Sequence, residues 1–206
     1  MRKRIPLPNY RVFFGTGSMS NHNKFIYKLD SNDCIYRTKG NKNRFEVLQY
    51  KRLEYTPENI DKLIQDIKKN LTDDLISNGF RKDFPQDYPR WGRKYFGLCV
   101  PATFVFLYFM DTDLLSANNG KYENNETHYW VKDKETQAII DITDEQYTKE
   151  ELQIIYTTGK SAKYYGYGEE PTARFFQLMH KIQPSSILYE TSDRFSSISD
   201  TDLTRF

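Results

Sequence analysis

Long apolar runs are missing from this sequence. The longest, 100–110, holds 11 residues and includes Pro101, whereas a bilayer-crossing helix needs roughly 20. No membrane partner is expected. Cysteine is scarce too, with only Cys34 and Cys99 among 206 residues. That argues against a disulfide-stapled secreted fold and for a reducing, cytoplasmic setting. No apolar segment follows "MRKR", so no secretory leader is expected. Neither sign of charge dominates: 30 Lys and Arg face 28 Asp and Glu, which gives nucleic acid no broad basic surface. Histidine occurs three times, at 22, 128 and 180, and no CxxC or HxxxH pair is present. No metal site is therefore expected. "GTGS" (15–18) and "GYG" (166–168) lack the strand–turn–helix setting of a phosphate loop, so no cofactor is expected.

Aromatic side chains are plentiful, with 16 Tyr and 14 Phe. Much of the core must be built from rings, and buried Tyr hydroxyls will need partners. The first 55 residues form a β-rich region. "YRVFF" (10–14), "KFIYKL" (24–29), "DCIYRT" (33–38) and "RFEVLQYKRL" (44–53) are short β-branched and aromatic runs between turn-rich segments. Cys34, at a strand start, reads as inert.

A helix is predicted over 57–79. Thr56 caps it, Pro57 takes its first position, and Ile60, Leu63, Ile64, Ile67, Leu71, Leu75 and Ile76 form one apolar stripe up to Gly79. Segment 81–97 reads as an ordered loop packed by its own rings. A helix over 99–110 follows, then a polar connector to 127. Two strands span 128–142 around a turn at 134–136. Helices are predicted over 143–160 and 169–184, and 185–206 reads as a loosely ordered tail. The core would thus span 56–184.

Cys99 heads the apolar helix. Gly97 lets the chain turn sharply before it, and Pro101 suits a first helical turn. The unsatisfied N–H groups and partial positive charge there favour a thiolate, and can also bind an oxyanion. A thiol nucleophile needs a base, and the base needs an orienting acceptor. His22 lies in a flexible-looking turn and His180 within a predicted helix. His128 opens a strand, and Asp141 sits among Ile139, Ile140, Ile142 and Thr143, where a carboxylate should have a partner. With a turn centred near residue 135, 128 and 141 pair across the hairpin.

This order of Cys, His and Asp resembles papain-like cysteine folds, especially the NlpC-like and transglutaminase-like branches. A closer likeness is to the YunG-like bacterial family. It is carried by Gly97, Cys99, Thr103, His128, Tyr129, Trp130, Asp141, Thr143, Gln146, Tyr147, Arg174 and Leu178, over about residues 91–184. The resemblance implies an α+β, papain-like core with a Cys-headed helix packed on an antiparallel sheet. It implies a Cys99–His128–Asp141 triad that hydrolyses or transfers an amide, isopeptide or thioester acyl group on a protein or peptide-like substrate.

Leu98 departs from the pattern, since a polar residue is expected there. Another oxyanion or cleft residue is then needed, and Tyr95, Gln86, Asn118 and Trp130 are candidates. Gln146, Tyr147 and Arg174 read as structural. The alternative is a catalytically silent binding or inhibitor protein of the same fold, related to phage or to host interaction. Neither substrate nor oligomeric state is legible.

Overall fold

The computed structural model describes residues 25–29, 35–39, 45–123, 126–162, 173–183 and 186–191. They fall into two compact units, one within Met1–Lys51 and Gln183–Phe206, the other Arg52–Ile182. The expected strand 10–14, Cys34, His22 and the "GYG" segment lie outside the described residues.

The first unit is an antiparallel sheet. β1 (Phe25–Leu29), β2 (Ile35–Lys39) and β3 (Phe45–Gln49) follow the predicted β runs, and with β8 (Ser186–Thr191) the sheet order is β1-β2-β3-β8. The last strand corrects an expectation. Ser186–Thr191 is not a loose tail but β8, paired antiparallel with β3. Its "SILYET" carries the β-branched and aromatic residues a strand wants.

The second unit is α+β. α1 (Pro57–Asn70) starts where predicted, with Asn59 N donating to Thr56 Oγ1 at 3.3 Å. It stops nine residues early. Asn70 turns its amide back onto Asp66 O, and a 3-10 turn, Asp73–Leu75, opens after Thr72. Asn, Thr and Asp side chains compete with helix for the backbone. Leu71, Leu75 and Ile76 are buried all the same, so the apolar stripe reported burial beyond the helix that carried it. Gly79, expected as the stop, lies inside α2 (Asn78–Asp83).

The predicted ring-packed loop is present. Phe80, Phe84, Trp91 and Phe96 meet edge-on or tilted, and Tyr88 stacks on Phe96. α3 (Cys99–Phe109) buries nine of its eleven residues. A helix apolar on every side must be central, and α3 touches α1, α5 (Ala173–Ile182), β4 (Leu115–Lys121) and β5 (Thr127–Asp133). α5 carries Phe175, Phe176, Leu178 and Met179 into the core. Among the described residues no helix is long and apolar enough to cross a membrane.

The sheet order is β6-β5-β4-β7, all antiparallel, with two-residue edge strands β6 (Ile139–Ile140) and β7 (Lys160–Ser161). β4 falls in the expected polar connector, yet it runs beside β5 over seven residue pairs. Asn118 lies opposite Trp130, and Gly120 opposite His128. Alternation puts these four on one face and Tyr129 on the other, where its ring meets Phe104 of α3. α4 (Lys149–Thr157) covers the first face. Its capping box joins Thr148 and Glu151, and Ile155 packs with Trp130 and Tyr147. Helix therefore begins at 149 rather than 143, after a 3-10 turn at Asp144–Gln146.

Candidate active site

The route into α3 is set by two left-handed residues, Tyr95 at φ 62° and Gly97 at φ 79°. Only glycine adopts that conformation freely, and a Cβ on Gly97 would also fall 2.6 Å from Phe80 Cε1. Leu98 N donates to Tyr95 O, and Ala102 N makes the first helical bond, to Leu98 O. Cys99 is the first helical residue, and Leu98 offers no side-chain cap. The N–H groups of Cys99 and Val100 thus lack an intrahelical acceptor. Cys99 is 5% exposed, and its Sγ lies 3.8 Å from Thr127 O, the carbonyl just before His128.

His128 is wholly buried on β5. Its Nε2 is 2.6 Å from Asp141 Oδ2. Tyr156 Oη donates to the same oxygen at 2.7 Å, and Thr143 N donates to Oδ1 at 3.0 Å. Asp141 thereby holds His128 in place and in one tautomer, with Nε2 protonated and Nδ1 free to accept. Nδ1 has no formed hydrogen bond among the described residues. Cys99 nonetheless acts on the ring. Burial alone would push the His128 pKa down, but the Asp141 carboxylate, helped by Cys99, holds it raised.

The hairpin register differs from the predicted one by two residues. Val131 pairs with Ile140 and Lys132 with Ile139, which carries Asp141 to the level of Trp130 rather than His128. The turn is longer than predicted: Asp133 N reaches Ala138 O, Gln137 takes φ 63°, and Asp133 Oδ1 accepts from Glu135 N and Thr136 N. A two-residue slip keeps Asp141 on the same face, so its carboxylate still reaches the imidazole diagonally.

A buried polar network adjoins this trio. Glu126, 3% exposed, accepts from Arg90 Nε at 3.0 Å, from Tyr147 Oη at 3.3 Å and from Tyr88 Oη. Arg90 also donates to Glu151 at 3.0 Å, and Arg93 pairs with the same carboxylate. The Arg90 guanidinium lies over the Tyr122 and Tyr147 rings. The Tyr147 and His128 rings meet edge to face, with centroids 4.9 Å apart. Burial, then the nearby Cys99 and Glu126, raise its hydroxyl pKa. Loop, His strand and α4 are thus tied together beside the thiol. Burial, Asp141 and its hydrogen bond likewise raise the Tyr156 pKa, so both tyrosines stay protonated donors.

Four further candidates fall outside this cluster. Gln86 is solvent-exposed. Tyr95 is half-buried, with the Lys68 and Lys94 ammonium groups over its ring. Asn118 gives its amide nitrogen to Ser116 O and Oγ, both at 3.3 Å. Trp130, 2% exposed, is core against Ile155 and Tyr156 rather than cleft wall. Sequence reasoning missed Tyr156, Glu126, Arg90 and the placement of Gln146. An acid two residues before "HYW" was the only local hint among them.

Among the described residues no group of three or more His, Cys, Asp and Glu is arranged to hold a metal ion. No family model, curated protein or solved structure matches the chain.

Proposed function

We propose that the chain is a thiol-dependent hydrolase or acyltransferase with a papain-like core, acting on an amide, isopeptide or thioester bond of a protein or peptide-like substrate. One observation carries this reading: Asp141 occupies Nε2 of a buried His128 and leaves Nδ1 open beside a cysteine at a helix head.

The Sγ proton passes to His128 Nδ1, and the thiolate adds to the acyl carbon. The tetrahedral adduct collapses, the bond to the leaving group breaks, and His128 returns its proton to that group. Water or an amine then gives a proton to His128 and adds to the resulting thioester; the C–S bond breaks, the acyl product leaves, and His128 returns the proton to Sγ. The Asp141 carboxylate that holds the His128 pKa raised also stabilises the imidazolium formed when the Sγ proton arrives.

The test is intact-mass detection of an acyl-enzyme after brief exposure to p-nitrophenyl acetate. Wild type should gain one acetyl group, and Cys99→Ser and His128→Ala should gain none. Equal labelling of all three would reject the reading. A silent binding protein of the same fold is the second reading. It is favoured by the 5% exposure of Cys99 and by its resting contact with Thr127 O.

A further inference from the structure

We infer that the side-chain amide of Gln146 is the oxyanion donor that Leu98 does not supply. The inference rests on the thiol-enzyme reading above. Gln146 ends the 3-10 turn that follows Asp141 and is 2% exposed. Its backbone is fixed at both ends: its N–H donates to Thr143 O at 3.1 Å, and its carbonyl accepts from Arg93 Nη1 at 3.1 Å. Its Oε1 accepts from Gly97 N at 3.3 Å. A backbone N–H can only donate, so this contact decides which end of the amide is oxygen. The other end, Nε2, is buried with no hydrogen-bond partner among the described residues.

A buried amide N–H without an acceptor calls for an explanation. Gly97 stands two residues before Cys99, so the amide is held beside the first turn of α3. The N–H groups of Cys99 and Val100 there also lack an intrahelical acceptor. When the Cys99 thiolate adds to an acyl carbon, the carbonyl π pair moves onto oxygen. That oxyanion is an acceptor for Nε2 and the helix N–H groups together. On collapse the pair returns to the C=O bond as the leaving group departs. Leu98 presents only carbon, and the Asn118 amide is engaged by Ser116.

The test compares two reactions of the full chain carrying Cys34→Ser. Acylation by p-nitrophenyl acetate passes through an oxyanion, whereas alkylation by iodoacetamide is a direct displacement and does not. Gln146→Met should slow acylation roughly 10²–10³-fold and leave alkylation unchanged. If both reactions fall together, Gln146 acts only by holding Gly97, and the inference is overturned. If neither falls, it is overturned as well. If the Met variant fails to fold by circular dichroism, Gln146→Glu, which keeps the acceptor for Gly97, is read by the same ratio. A parent chain whose thiol alkylates independently of His128 would show that the underlying reading fails, separately from Gln146.

Discussion

Three donors converge on Asp141: His128 Nε2, Tyr156 Oη and the backbone N–H of Thr143. A carboxylate held this way keeps the imidazole oriented and favours its charged form once Nδ1 takes a proton. Asp141→Asn removes the main influence opposing burial, so the ring should titrate below the ordinary value of about 6.5, whereas in wild type it titrates above it. NMR titration of the His128 ring checks this. The sign follows for stability. A raised folded pKa stabilises fully below about pH 6.5 and loses that contribution as pH rises through the folded pKa. Asp141→Asn should reverse this dependence, because a ring whose folded pKa lies below its unfolded one costs stability as pH falls. Tyr156→Phe deletes one donor and should cost about 1 kcal/mol in urea unfolding. Cys99, His128 and Asp141 were legible because their order and residue types are chemically distinctive. Tyr156 and Gln146 were not, because only the fold shows which way α4 and the 3-10 turn face.

At the scale of elements, β4 is the instructive miss. "LSANNGK" has little β-propensity, and its Asn-Asn-Gly reads as loop. It is a strand because β5 and α4 enclose it, and Gly120 is the residue that allows this. A Cβ there would sit 2.2 Å from Ile155 O. Gly120→Ala should destabilise the protein by about 1–3 kcal/mol, read as a lower urea midpoint with an unchanged slope. The helix over 57–79 failed for a different reason. Apolar spacing reports burial, and the buried stripe continued through a 3-10 turn after the helix had ended. Glu151 joins elements as well as capping one. Burial would raise its pKa, but Arg93, Thr148 N and Arg90 hold it at about 2. Its stabilising contribution is present above the unfolded value of about 4.3 and is lost as pH falls toward 2. Glu151→Gln should cost about 1–2 kcal/mol at pH 7 and flatten the acid limb of a stability–pH curve.

At the scale of the whole molecule, every residue given a role at the site lies within Arg52–Ile182. A fragment of those residues should therefore keep the reactivity of Cys99. Unfolding of the fragment under native conditions, seen by circular dichroism, would show that the division into units is not a division of stability. The cysteine-headed helix and the His/Asp hairpin were readable from glycine, proline and turn residues, and the α+β class followed from the resemblance. The hairpin register was not, since moving the turn centre by one residue shifts the pairing by two. Cys99 is 5% exposed, so iodoacetamide should outpace a bulky aromatic disulfide at this thiol by more than it does with a free cysteine.

Whether His128 activates Cys99 is decided by the pH dependence of Cys99 alkylation in a Cys34→Ser chain. Iodoacetamide reactivity should persist well below pH 8.5, the ordinary thiol value, and collapse in His128→Ala. A single rise near pH 8.5, the same in both proteins, would contradict it.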